Sequence, residues 1–497
     1  MDFLDPSKKG MRRLRLLISY AVMLSVVTVG TIVLVYAAYG YGINTKTGDV
    51  VKNGLLFVDS QPGGAEIFLN GNDTKSSTSA RMVLPAGGYD LLLKRDGYRP
   101  WQRQLDLKQH SIERFVYPFL WPSQLAPQTV QAYPSNPHLI TQSPDRRWLL
   151  VENTNPDPTI LSFDQFDTSR PEVPKQTVNF PAALFTSYNH ATSAFAEIAW
   201  ASDNRHLLIA HTFPGGREFV ILDRTSPGSS VNINVYANIS PAQVGLRNKK
   251  SDQFYTLDQA GGSLQQLNLA TKALTPILSG VLAYKSLGDD LIIYATATNQ
   301  PAGQVSINIW DRSNGYRLQA VPASERYLID AVQFQGHWYY AAGAAGADRL
   351  NIYRDPLDTL RDPAKKSALV TASLDLANAQ NVSFSNNARF IGVQAGQLFN
   401  SYDLEATTKY VYTVDKPLVG PMKWMDGHRW IGQTQGNAVV IDYDGTNQQL
   451  LVPSILPAGG FFDRDYKQML LLSGTNDGPV VSLQKVPLRA GADLPKP

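Results

Sequence analysis

The sequence predicts an all-β protein behind one apolar helix: a single transmembrane segment, a small β-sandwich, then a β-propeller of seven or eight blades. Three observations carry that prediction. An uncharged apolar run lies near the N-terminus, short alternating runs broken by Gly and Pro turns follow it, and a strand–turn unit recurs from residue 138 onward. The expected divisions are a basic N-terminus at 1–15, a membrane helix at 16–42 and a linker at 43–53. A sandwich at 54–117, a Pro-rich linker at 118–137, a propeller at 138–488 and a tail at 489–497 follow.

The membrane segment comes first. Residues 16–42, "LLISYAVMLSVVTVGTIVLVYAAYGYG", hold no charge, and roughly 20 apolar residues suffice to span the hydrocarbon core. Lys8, Lys9, Arg12, Arg13 and Arg15 precede the run, while only Lys46 and Lys52 follow closely. The positive-inside rule then puts the N-terminus in the cytoplasm, with Arg12, Arg13 and Arg15 at one membrane interface. Tyr36, Tyr39 and Tyr41 fall at the other, where amphipathic rings prefer to sit. The expected location is the plasma membrane, single-pass, with everything after the helix outside. A cleaved signal peptide, with "VYA" at 35–37 as its cleavage site, is the rival reading, although its apolar region would usually be only about 7–15 residues long.

Charge elsewhere is balanced. The chain has 45 Lys and Arg against 42 Asp and Glu, and setting aside the five bases and two acids of the first fifteen residues leaves 40 of each sign. Binding nucleic acid by counterion release needs a basic face, and composition offers none, so nucleic acid is not an expected partner. There is no cysteine, which removes disulfides, thiolate catalysis and thiolate metal sites together.

The sandwich follows. "GLLFVDS" and "AEIFLN" alternate as half-buried strands do, with Ala65, Ile67 and Leu69 on one face. Between them "QPGG" supplies a fixed φ and positive-φ glycines, so a hairpin is expected there. Asn70-Gly71 is a second turn signal, and "PAGG" and "RDGY" continue the rhythm to about residue 107. An antiparallel sandwich results. This stretch resembles a PEGA domain. Pro62, Gly64 and Ala65 match the family's eponymous turn, with Gly63 where the family has glutamate; Leu84 to Gly87, Tyr89 and Gly97-Tyr98 match later positions. The resemblance implies an extracytoplasmic sandwich of the kind found in envelope proteins, acting as a spacer, with no catalytic residues to carry over.

Five prolines and several aromatics occupy 116–137, a stiff connector expected to pack on a neighbour. Beyond it, "SPDRRWLLV" at 143–151 is echoed at 201–210, 385–393 and 425–433, with degenerate copies near Lys250, Leu287, Gln335 and Asp463. From Ser143 to Asp463 is 320 residues over seven intervals, about 46 each, near the four-strand blade period. These repeats resemble those of TolB-like and WD-type propellers. The recurring Ser-x-Asp is expected to cap a turn. "QTVQAY" at 128–133 alternates with nothing local to pair with, and is expected to complete the last blade and so remove an open edge.

Chemistry is sparse in the sequence. Gly-x-Ser-x-Gly, His-Glu-x-x-His, EF-hand and phosphate-cradling motifs do not occur, and the seven histidines are scattered. Asp289-Asp290 and the Asp442/Asp444 pair fall in turns, where a structural reading is preferred. Trp148, Trp200, Trp310, Trp338, Trp424 and Trp430 sit at strand ends. Blade packing is their default, and a stacking platform for sugars is the rarer use. Asn72, Asn238 and Asn381 begin glycosylation sequons. No catalytic, cofactor or metal residue is assigned. The expected function is a membrane-anchored extracytoplasmic scaffold whose propeller binds a protein or an envelope polymer; the alternative is a propeller enzyme, a lyase or hydrolase acting on glycans. Fold alone cannot choose between them.

Overall fold

A computed structural model describes residues 6–493 apart from 39, 44–49, 154–156, 259, 366, 376 and 476–477. The chain divides into two units. One comprises Met1–Gln124 with Arg489–Pro497, the other Leu125–Leu488.

In the first unit the helix Pro6–Ala38 contains a 24-residue stretch, Arg13–Tyr36, apolar and long enough to cross a membrane and wholly unburied. Ser19, Ser25 and Thr31 each return their hydroxyl proton to the carbonyl four residues back, which hides the polar atom within the helix. The sandwich has two four-stranded sheets. Val50–Val58 lies between Ala80–Pro85, which it pairs antiparallel, and Ile112–Phe115, which it pairs parallel. The second sheet runs Asn72–Ser77, Glu66–Leu69, Gly87–Lys94, Trp101–Leu107. Leu56, Val58, Ala65, Ile67, Leu91, Leu93 and Trp101 fill the core.

Two expectations change here. The sheet edge at Ile112–Phe115 makes the sandwich mixed, not antiparallel. The Pro62–Ala65 stretch is also not a hairpin: Val50–Val58 and Glu66–Leu69 belong to different sheets, and the stretch crosses between them. Each flanking run has one apolar face, and facing those surfaces across a shared core buries both, whereas a hairpin would leave them side by side. The crossing is pinned from outside its own residues. Thr78 accepts the Gly64 N–H on its carbonyl (2.8 Å) and the Ala65 N–H on its hydroxyl (3.0 Å), and Arg95 donates to the Gly63 carbonyl. Gly64 has φ +79°, a conformation that side chains resist. Asn70-Gly71 does form the tight hairpin expected of it, with both φ positive and Leu69 opposite Asn72.

Ala490 and Asp493, in the segment expected as a tail, bond to the sandwich. The Tyr98 hydroxyl accepts the Ala490 N–H (2.8 Å) and donates to Asp493 (3.0 Å), whose carboxylate also meets Arg95 at 2.5 Å. These contacts join residues 489–493 to the sandwich.

The second unit is a ring of eight four-stranded antiparallel sheets. Blade 1 begins at Ile140–Gln142, blade 2 at Ala194–Trp200, blade 3 at Pro241–Leu246 and blade 4 at Val281–Leu287. Blades 5 to 8 begin at Tyr327–Phe334, Asn381–Phe384, Lys423–Trp424 and Phe461–Phe462. The middle strands are nearly continuous apolar runs, because each blade is covered on both faces. In His206–Phe213, Leu207 and Ile209 enter the core shared with blade 1, while Leu208 and Ala210 enter the core shared with blade 3. The period of two is intact, but both faces are dry. Outer strands such as Thr408–Thr413 alternate between exposed and half-buried instead.

The Ser-x-Asp repeat caps the turn between the first two strands of its blade. Ser143 accepts the Trp148 N–H at 2.9 Å and Asp145 the Arg147 N–H at 3.1 Å; Ser385 and Asn387 do the same for Phe390 and Arg389. The following arginine pairs with a buried aspartate ending the third strand, as in Arg147–Asp167, Arg205–Asp223 and Arg389–Asp403. These carboxylates are structural. The ring is closed by Gln128–Tyr133, which pairs antiparallel with Gly478–Pro487 as the outer strand of blade 8, Tyr133 opposite Val481.

Candidate ligand cleft between blades four and five

Of the six tryptophans singled out by sequence, five are absorbed by packing. Trp200 is 5% exposed, Trp430 is stacked on Trp424 at 3.7 Å, Trp310 packs beside a buried cluster, and Trp148 has the guanidinium groups of Arg147 and Arg224 within 4.7 Å of its ring centre. Trp338 differs: it lines a cleft of about 330 Å³. That volume falls within the range of small-molecule sites.

The cleft is assembled from turns of two blades. Gly288 and Leu291 bracket the first turn of blade 4, and Asp311 ends that blade's third strand, Gln304–Asp311. Blade 5 supplies Trp338 and Tyr340 from its second strand, His337–Ala344, and Asp355 and Arg361 from the ends of the short helix Pro356–Leu360. Proline at the first helical position follows from its fixed φ and missing N–H, so the Asp355-Pro356 dipeptide starts the helix there.

Polar groups converge on one side. Arg361 donates two hydrogen bonds to Asp311, at 2.6 and 3.0 Å, which holds both side chains across the blade boundary. Asp355 accepts the Trp338 N–H at 2.7 Å and meets the His337 Nδ1 at 2.5 Å. Tyr340 is fully buried, and its hydroxyl has no partner among the described residues. Burial raises its pKa, with the Asp355 charge adding to the effect, so it remains a proton donor. The indole of Trp338 lies 6.1 Å from the Tyr340 ring at 32°, giving the cleft an aromatic wall. An aromatic face beside a carboxylate, a guanidinium and an unsatisfied hydroxyl suits a ligand that is apolar on one face and hydroxylated at its edges.

The other sequence candidates do not meet here. Pro62, Gly63, Gly64 and Ala65 lie in the sandwich crossing, and Arg13, Arg15 and Tyr36 are exposed along the apolar helix. Tyr36 and Tyr41 rings approach to 5.1 Å; Tyr39 and the Arg12 side chain fall outside the described residues. Asp290 accepts from Arg247 and Tyr255, and Asp442 from Asn447; the Asp289 side chain is outside the described residues. His211 is buried between Glu218 and Ser193 as a packing residue. Sequence reasoning missed Asp311, Tyr340, Asp355 and Arg361, which lie up to fifty positions apart and share no local motif.

Away from the cleft, two buried carboxyls of blades 1 and 2 differ in acidity. Burial pushes Glu152 up to about 7. Burial would raise Glu218 too, but hydrogen bonds from His211, Thr186 and Asn232 outweigh it and hold that carboxyl low. Glu152 lies on a second strand and Glu218 on a third, neither on the first strands of their blades.

Residues 53–116 match the PEGA domain family. No curated protein matches the chain. Among solved structures, the chain is similar to the Swd1 (Cps50) β-propeller domain of Myceliophteria thermophila, at 11% identity and a TM-score of 0.34, over 73% of this chain and 100% of that one. It is also similar to an uncharacterised protein of Listeria monocytogenes, at 11% identity and a TM-score of 0.38, covering 67% and 93% of the two chains. An oligogalacturonate lyase of Vibrio parahaemolyticus is matched at 9% identity and a TM-score of 0.38, covering 74% and 99%.

Proposed function

We propose that this chain, a PEGA domain and an eight-bladed propeller behind one apolar helix, is a membrane-anchored extracytoplasmic binding protein. Its propeller engages a saccharide segment of an envelope polymer in the cleft between blades 4 and 5. The observation that carries the reading is the half-buried Trp338 beside the unpartnered Tyr340 hydroxyl and the Asp311–Arg361 pair. A pyranose offers a C–H face to the indole and hydroxyls to the polar side, where a donor left unsatisfied in a buried site gains most from a partner.

The test is calorimetric titration of the detergent-solubilised full chain with envelope polysaccharide fragments from its host. Trp338→Ala is expected to weaken binding at least about tenfold, which is about 1.4 kcal/mol. Tyr340→Phe removes a hydroxyl that has no partner among the described residues, so it is expected to weaken binding without lowering the melting temperature. Equal affinity in wild type and both variants would refute the cleft. New reducing ends or unsaturated products in the titrated mixture would instead establish the enzyme alternative.

Orientation follows from the charge asymmetry around the helix. Protease added to intact cells is expected to digest the chain beyond about residue 44 and to spare a tag at Met1. A protected propeller would reverse the assignment.

A further inference from the structure

Three of the ring's side chains that can ligate a metal meet between blades 1 and 2, far in sequence from the cleft residues. His138 precedes the first strand of blade 1, Glu152 lies near the end of the second strand, Trp148–Asn153, and His190 lies in the connection to blade 2. One ligand atom from each of the three lies within 4.8 Å of the other two. The imidazoles are stacked, centroids 4.5 Å apart and 24° from parallel.

Glu152 is the unusual member. It is 1% exposed and bonds to Leu139 and Tyr188, two members of the apolar core shared by blades 1 and 2. Several other buried carboxylates of the ring have cationic partners: Asp164 has Lys175, Asp223 has Arg205, Asp330 has Lys285 and Asp403 has Arg389. No lysine or arginine among the described residues pairs with Glu152; the His138 Nδ1 lies 3.7 Å from its carboxylate. One of its oxygens accepts the N–H groups of His138 and Leu139 at 2.8 and 3.1 Å, which fixes the carboxylate's orientation. The other meets the Tyr188 hydroxyl, at 3.4 Å. A buried carboxylate is unfavourable unless it takes up a proton or a cation compensates it. Here the fold supplies two imidazoles in place of that cation, and imidazole is a ligand for one.

We propose that His138, Glu152 and His190 bind one divalent transition-metal ion of the zinc class. Two imidazole nitrogens and a carboxylate oxygen form a three-ligand set that zinc accepts, with bonds of about 2.0–2.2 Å and a fourth position left for water. Tetrahedral bonds of that length hold ligand atoms roughly 3.3–3.6 Å apart, so the widest separation closes by roughly 1.5 Å at most. Rotation of the imidazoles provides this, since the His138 side chain is 32% exposed and His190 is half-buried. The mixed nitrogen and oxygen set favours zinc over calcium or magnesium, which take all-oxygen shells.

The experiment uses the detergent-solubilised full chain, stripped with chelator and titrated with Zn²⁺, then with Co²⁺ as a coloured substitute. One equivalent of Zn²⁺ is expected to bind and to raise the melting temperature, and Co²⁺ is expected to give the visible absorption of a four-coordinate site. His190→Gln and His138→Gln, at rings outside the core, are expected to weaken Zn²⁺ binding at least tenfold while the metal-free melting temperature stays within a degree or two. Glu152→Gln is expected to do the same if it folds; the histidine variants decide the matter if it does not. Absence of saturable Zn²⁺ binding, unchanged affinity in both histidine variants, or preference for Ca²⁺ or Mg²⁺ would overturn the site. These readouts are independent of saccharide binding in the cleft.

Discussion

Deletion of residues 129–133 is expected to destabilise the entire propeller cooperatively, by at least about 3–5 kcal/mol. The segment is the outer strand of blade 8, and it carries Tyr133, which is 2% exposed. Loss of one large buried aromatic alone costs about 3–5 kcal/mol. Removal of the strand also leaves Gly478–Pro487 as an open edge and unfastens the two ends of the ring. Because each blade buries its middle strands against two neighbours, the loss spreads beyond blade 8. Calorimetry of the deleted and intact chains measures it. An unchanged propeller transition would show that blade 8 closes without the outer strand lent from the N-terminal side of the ring.

Trp200→Ala is expected to cost about 3–5 kcal/mol, read as a shift in the denaturant midpoint at constant slope. The ring ends the first strand of blade 2 and fills the core shared with blade 1, among Leu139, Leu150, Phe163 and Leu207. Its Nε1–H also donates to the hydroxyl of Thr141 on blade 1 at 2.8 Å, and Thr141 in turn donates to Glu197 at 2.7 Å. The substitution therefore opens a cavity at a blade boundary and removes the buried link of a polar chain that ends at the exposed Glu197. Trp200→Phe keeps most of the ring's volume and is expected to lose less. An effect under about 0.5 kcal/mol would place Trp200 at the surface.

Much of the architecture is legible in short stretches of sequence. The helix follows from a run without charge, and the repeat from turn residues recurring at a blade's spacing, because turn chemistry acts within a few residues. Gln128–Tyr133 could be assigned to the last blade by elimination: it alternates, and no neighbour in sequence can pair with it. "QPGG" misled for the complementary reason. Pro and Gly report that the chain turns there, and nothing local reports whether the turn joins strands in one sheet or crosses to another. The hydroxyl and carbonyl of Thr78 and the Arg95 guanidinium decided it.

By itself, the sequence determined the apolar helix, the Asn70-Gly71 hairpin, the capped turns of the blades and the strand that shuts the ring. Each is fixed by the backbone preferences and polarity of adjacent residues. Only the tertiary structure decided which distant side chains share a site. Asp311 reaches Arg361 across a blade boundary, His138 and Glu152 meet His190 in the next connection, and Tyr98 takes up Ala490 and Asp493 nearly four hundred positions away. Such groupings arise when sheets stack face to face and their turns converge. That convergence depends on the packing of whole blades and sheets, so no short stretch of residues encodes it.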